Sequence, residues 1–276
     1  MPSQGRPRPA RNTLPAPDVR DFRRLLDIAL SERDAHGRKW ADASWGCYAF
    51  YDYEGEPIYV GQTYELLRTR VRRHLTNQRT DAVAMRILDV FEVAELELWP
   101  LWDYQGVARS GPAGPDAQQH LDAVEYATYL QAIRESRFKA ILNEVIPPVS
   151  PPVDLPPSRR FQLISEETRR ERGHADVRIA RRAETISRLA AVAHERGEVS
   201  DGLRRVLVVQ AVRLAYLAAA RLAYVEGRPE PDPSAINVEG LVGSVLHESG
   251  DDPQSGSAYL GIEWLGRSDE VADEDA

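Results

Sequence analysis

The sequence predicts an α+β fold: a small three-stranded antiparallel sheet flanked by helices, followed by an appended α-helical domain. Three observations carry this prediction. Two aromatic and β-branched runs, Tyr48-Ala49-Phe50-Tyr51 and Pro57-Ile58-Tyr59-Val60, flank the turn-like Tyr53-Glu54-Gly55-Glu56, which is a hairpin signature. Segments on both sides of that hairpin repeat apolar residues at helical spacing. Six prolines within 147–157 then separate this part from a stretch dominated by two long helical patterns.

Taken in order, residues 1–17 hold five prolines together with Arg6, Arg8 and Arg11, and read as a disordered basic leader. A helix over 18–32 places Phe22, Leu25, Leu26, Ile28 and Leu30 at helical spacing. The hairpin follows, then a helix over 65–77 with Leu67, Val71 and Leu75 on one face. Residues 81–91 read as helical, 95–102 as a third strand ending in the core residues Trp99 and Trp102, and 106–115 as a Gly/Pro loop. A helix over 120–137 aligns Leu121, Val124, Thr128 and Ala132. This first domain spans 18–146, and the proline run 147–157 is a stiff linker.

In the helical domain, 158–226, a helix over 176–195 would bury Ile179, Ala183, Ile186, Ala190 and Ala193, leaving its arginines solvated. A second helix, capped by Asp201, runs to Val225. Its stretch 206–225 is long and apolar enough to raise a membrane span, but it contains Gln210, Arg213 and Arg221. A central Arg costs about 2.5–3.5 kcal/mol to insert, so the expectation is a buried helix and no membrane association. Short strands are expected within 236–246 and 259–265, inside an acidic C-terminal segment, 227–276.

Composition bounds the function. The chain has 276 residues, 42% of them hydrophobic, which excludes wholesale disorder. Cys47 is the only cysteine, so a disulfide framework or a cysteine-based zinc site is excluded, and Cys47 reads as a small core residue. No apolar stretch follows a basic start, so the expected location is cytoplasmic. The net charge is −8, yet residues 227–276 alone carry −10 and residues 1–226 carry +2. Lys39 and Lys139 are the only lysines, so the basic residues are almost all arginine, whose forked donors suit phosphate.

Chemistry concentrates around the hairpin. Gly46-Cys47-Tyr48 opens the first strand and Tyr59-Val60-Gly61 closes the second. Arg70 and His74 follow at i, i+4 on the next helix, Glu125 lies on a later helix, and Asn143 comes 18 residues further on. If the turn centres on Glu54-Gly55, Phe50 lies opposite Tyr59 and Tyr48 opposite Gly61, so both tyrosines share one face beside an open glycine. Arg70 and His74 flank the buried stripe of their helix and can reach toward the tyrosines. Glu125 borders an apolar helix face, where a carboxylate needs a partner such as a metal ion.

This ordered set resembles the GIY-YIG nuclease family over about residues 44–147. Cys47 and Val60 stand where the family has isoleucines, and positions 62–73 contain no lysine. The resemblance implies a metal-dependent endonuclease that hydrolyses phosphodiester bonds, with nucleic acid, DNA by expectation, as partner. It implies that Tyr48 is the base for water, that Tyr59 supports it, that Arg70 contacts the scissile phosphate, and that His74 orients a tyrosine or the phosphate. Glu125 would bind one Mg²⁺ (or Mn²⁺), and Asn143 would tie the helix of Glu125 to the core, with Gly46 and Gly61 in supporting roles. Arg68 is a rival to Arg70, with the His74 spacing favouring Arg70, and Arg68, Arg72 and Arg73 are expected to bind the nucleic-acid backbone. Restriction or phage defence is the expected setting. The alternative is a non-catalytic DNA-binding or protein-docking module that keeps the fold. The C-terminal helices are an expected homodimer or protein contact.

Overall fold

The computed structural model describes residues 15–76 and 87–248. At its centre lies an antiparallel sheet in the order β2-β1-β3-β4, built from β1 (Gly46–Tyr51), β2 (Pro57–Thr63), β3 (Glu95–Pro100) and β4 (Arg159–Gln162). Every residue of the central strand β1 is buried. Its register against β2 pairs Tyr48 with Gly61 and Phe50 with Tyr59. The turn between them is held by Asp52, whose Oδ1 accepts the backbone N–H groups of Glu54 and Glu56 at 2.9 and 3.2 Å. Gly55 sits there at φ +75°, where a side chain would be strained.

The sheet has four strands where three were expected. The extra strand, β4, contains a single apolar residue, Phe161, so no period marks it in the sequence. It forms because the outer edge of β3 offers unpaired backbone groups. Phe161 pairs with Leu96 and is buried, and Arg160 bonds Glu95 at 2.5 Å while stacking over the Tyr51 ring. β4 follows the proline run 147–157, so the sheet crosses the boundary expected there.

The helices are α1 (Pro17–Ala29), α2 (Leu67–Thr76), α3 (Gly114–Glu135), α4 (Glu166–Arg172), α5 (Ala175–Arg196), α6 (Asp201–Val225) and α7 (Val238–Val242). α2 buries Leu67, Val71 and Leu75. α3 packs against β2 and β1 and buries Leu121, Val124, Thr128 and Ala132. It begins at Gly114, inside the expected loop, because Pro115 is well suited to the first turn of a helix. Trp99 is buried, whereas Trp102 is only half-buried, under the Arg38 guanidinium.

The arginines of α5 overturn one expectation. The helix buries Arg178, Arg182, Thr185, Leu189 and Val192, not the stripe Ile179, Ala183, Ile186, Ala190 and Ala193. The cause is a set of carboxylates from the first half of the chain. Asp52 Oδ2 accepts Arg178 at 2.8 Å, Arg182 at 2.9 Å and Arg213 of α6 at 3.2 Å. Glu92 faces Arg178 and Arg182 at 3.4 and 3.1 Å, and Glu56 lies 3.6 Å from Arg213. Arg178 and Arg213 are each 1% exposed. α5 and α6 therefore grip the turn of the β1–β2 hairpin through buried ion pairs.

α6 is long and apolar enough to cross a bilayer by length and composition. In this fold it lies beside the hairpin, with Gln210 donating to the Ile87 carbonyl at 3.0 Å. Its cap is Ser200, one residue before the expected Asp201, because the Ser200 hydroxyl accepts the Leu203 N–H at 3.1 Å. The strand expected within 236–246 is instead the short helix α7, started by the Asn237 side chain on the Gly240 N–H. The expected leader (except residues 15–17), most of the helix over 81–91, the strand over 259–265 and the acidic end lie outside the described residues.

Candidate active site

Two glycines fix how closely the strands approach. A Cβ on Gly61 would lie 2.6 Å from the Tyr48 hydroxyl and 3.0 Å from the Tyr59 ring. A Cβ on Gly46 would lie 2.6 Å from the Trp99 carbonyl of β3. Only hydrogen fits at either position, so the Tyr48 side chain can lie flat across β2.

Tyr48, Phe50 and Tyr59 occupy one sheet face as the register requires, with ring centroids 5.4–6.2 Å apart. α2 closes over this face. Its Arg70 and His74, one turn apart, both meet the Tyr48 hydroxyl: His74 Nε2 at 2.9 Å and Arg70 Nε, donating, at 3.4 Å. Burial pushes the Tyr48 phenol well above its usual range, with Tyr59 adding and Arg70 opposing. Tyr48 is therefore a neutral phenol at physiological pH. Burial, then the charges of Arg70 and Arg73, lower His74 to about 4, so its ring is neutral as well.

That depressed value has a consequence for stability. The unfolded chain takes up a proton on His74 below about 6.5 while the folded chain does not until about pH 4. The stabilisation from a neutral His74 is complete above pH 6.5 and is lost as pH falls toward 4. The expected loss is at most about 3 kcal/mol. Urea unfolding at pH 4, 5, 6 and 7 should show this slope in the wild type. The same series on His74→Gln should lack this component, and an identical slope in both proteins would contradict it.

Glu125, on α3, lies within electrostatic reach of this group, since its charge raises both tyrosines and is offset by Arg70. Tyr48 and Glu125 are 77 residues apart in the chain. Burial, then the neighbouring charge of Asp122, raise the Glu125 carboxyl to about 8, against Arg70 and a hydrogen bond from Gln62. Asp122, one turn before Glu125, accepts the side-chain N–H groups of Gln62 and Gln118 at 2.9 and 2.8 Å. The buried amide oxygens of Gln62 and Gln118 have no hydrogen-bond partner among the described residues. Sequence reading missed Gln62, Asp122 and Gln118, because only the packing of α3 against β2 brings them together.

These residues fit a divalent cation. Two crowded carboxylates and unpartnered amide oxygens are hard donors, the chemistry of Mg²⁺ or Mn²⁺. No group of three or more His, Cys, Asp or Glu side chains forms a cage among the described residues. A cation here would complete its shell with water and substrate oxygens, as Mg²⁺ commonly does.

Asn143 acts as a surrogate strand partner. Its Oδ1 accepts the Val60 N–H at 3.0 Å and its Nδ2 donates to the Val60 carbonyl at 2.8 Å, at the open edge of β2. The chain after α3 is thereby tied to the strand that carries Tyr59. The remaining arginines of α2 point elsewhere: Arg68 pairs with Asp42, Arg72 with Asp27 at 2.8 Å and Arg73 with Glu65 at 2.8 Å. Arg70, not Arg68, is the one on Tyr48. The other three are partly or largely exposed, and such pairs are worth about 0–1 kcal/mol, little for a phosphate to displace.

Residues 44–106 match the family model described as the GIY-YIG catalytic domain. The match takes in Gly46, Tyr48, Tyr59, Gly61, Arg70 and His74, and ends before Glu125 and Asn143. No curated protein and no solved structure matches the chain. The domain is that of a nuclease family.

Proposed function

We propose, starting from a GIY-YIG catalytic domain over residues 44–106, that this protein is a divalent-metal-dependent endonuclease that hydrolyses phosphodiester bonds in DNA. The observation that carries the reading is the convergence on the Tyr48 hydroxyl. One buried oxygen meets a cation, Arg70, on one side and a neutral imidazole, His74, on the other, and the charge of Glu125 acts on it as well.

Each group has a physical task. Arg70 donates its Nε to the Tyr48 oxygen, so the phenolic proton lies toward His74 Nε2 when that nitrogen is unprotonated. Tyr48 then need not be a phenolate. As its oxygen takes a proton from the attacking water, its own proton passes to His74, and the water oxygen forms the new bond to phosphorus while the bond to the leaving oxygen breaks. Arg70 remains charged, because a guanidinium holds its proton far above physiological pH and its surroundings here raise it further. Its contact with Tyr48 uses Nε, and its Nη groups are the donors this reading assigns to a phosphate oxygen. A cation bound at Glu125 would supply charge to the pentavalent phosphate and to the leaving oxygen. Tyr59 packs beside Tyr48 and limits its motion.

Incubating the full chain with supercoiled plasmid and with single-stranded DNA, in Mg²⁺ or in EDTA, tests this reading. Cleavage of either substrate in Mg²⁺ and none in EDTA is the expected result. DNA binding without cleavage in Mg²⁺ and in Mn²⁺ would favour a binding module that keeps the fold.

A further inference from the structure

Asp122, one turn before Glu125 on α3, gathers two glutamine amides whose own oxygens are buried and unpartnered among the described residues. Gln62 follows Gly61 on β2, and its amide counts among the groups that lower the Glu125 carboxyl. Its Nε2 donates to Asp122 Oδ1 at 2.9 Å, one turn of α3 before Glu125. That bond uses the nitrogen end of the amide. The other end, Oε1, is buried and has no partner among the described residues. Such an atom is expensive to leave unmatched, and native folds rarely do so without a reason. Flipping the amide would turn Oε1 toward Asp122 Oδ1, which now accepts its nitrogen. Asp122 is itself anchored by Gln118 at 2.8 Å, so the acceptor that fixes the Gln62 amide is held in turn.

Resting on the metal-dependent reading above, we propose that Gln62 supplies its amide oxygen as a second protein ligand to the cation carried by Glu125. Asp122, held by Gln118, orients that amide. An amide oxygen is a neutral hard donor, suited to Mg²⁺ or Mn²⁺, and it adds no charge to a site that already crowds two carboxylates. Asp122 is a positioning residue in this arrangement.

The test is Mn²⁺ binding to the full chain without DNA, followed by the electron paramagnetic resonance signal of free Mn²⁺. Gln62→Leu is expected to weaken binding about tenfold, the scale seen when a group at a metal site is lost. Gln62→Glu, which keeps an oxygen at the same reach and adds charge, should bind Mn²⁺ more tightly than the wild type. Glu125→Gln should lose more than Gln62→Leu. Circular dichroism identifies variants that fold. Wild-type affinity in folded Gln62→Leu, alongside loss in Glu125→Gln, would overturn the Gln62 assignment and leave the nuclease reading intact. If Gln62→Leu does not fold, Gln62→Glu decides: tighter binding supports the assignment, and equal or weaker binding overturns it. Wild-type affinity in Glu125→Gln would instead remove the cation from Glu125, and the inference with it.

Discussion

Replacing Asp52 with alanine is expected to cost about 3–5 kcal/mol of folding stability, the scale for breaking a buried ion pair from one side. Asp52 is 1% exposed and serves three guanidinium groups, two of which are 1% exposed themselves. Burial alone would raise its carboxyl, yet Arg213, Arg178 and Arg182 hold it below the usual carboxylate range. Removing it leaves those cations crowded together with only Glu56, Glu92 and Glu54 to answer them. It also removes the acceptor that shapes the hairpin turn. With whole-domain stabilities of about 5–15 kcal/mol, a loss of this size is a large part of the total. Asp52→Asn, which keeps the turn acceptor but not the charge, should fall between wild type and alanine in urea unfolding. A change below about 1 kcal/mol in Asp52→Ala would mean that the remaining carboxylates suffice for the arginines.

The second large effect is expected at Tyr48. Tyr48→Phe deletes only the oxygen that Arg70 and His74 share and keeps the ring packed on Phe50 and Tyr59. Stability should change by about 1 kcal/mol, the net worth of a typical hydrogen bond. The cleavage rate should fall about 10²–10⁴-fold, the usual contribution of a positioned proton-transfer group. Thermal melting and single-turnover cleavage on one preparation separate the two quantities. A variant that melts like wild type and cleaves at the wild-type rate would move water activation to another group.

The hairpin was legible in the sequence because a turn centred on Glu54-Gly55 leaves one register, and with it the shared face of Tyr48 and Tyr59. The helical spacing of Arg70 and His74 was legible for the same reason, since position on α2 decides which side chains can meet one hydroxyl. The buried face of α5 was not. An apolar period at Ile179, Ala183 and Ile186 wins by default, and Arg178 and Arg182 are buried only because carboxylates far away in the chain meet them. β4 escaped for a related reason: its pairing depends on an edge that β3 presents, not on its own residues. The donors around Glu125 come from β2 and α3, and no spacing within either element joins Gln62 to Asp122.

The most direct measurement of the central claim is made on Glu125→Gln. Its affinity for a DNA duplex and its rate of plasmid cleavage in Mg²⁺ would be measured beside those of the wild type. Binding should be preserved, because backbone contacts by arginine hold the substrate, and cleavage should be abolished, because the variant lacks the carboxylate that carries the cation. Plasmid cleavage at the wild-type rate by the purified variant would contradict the account.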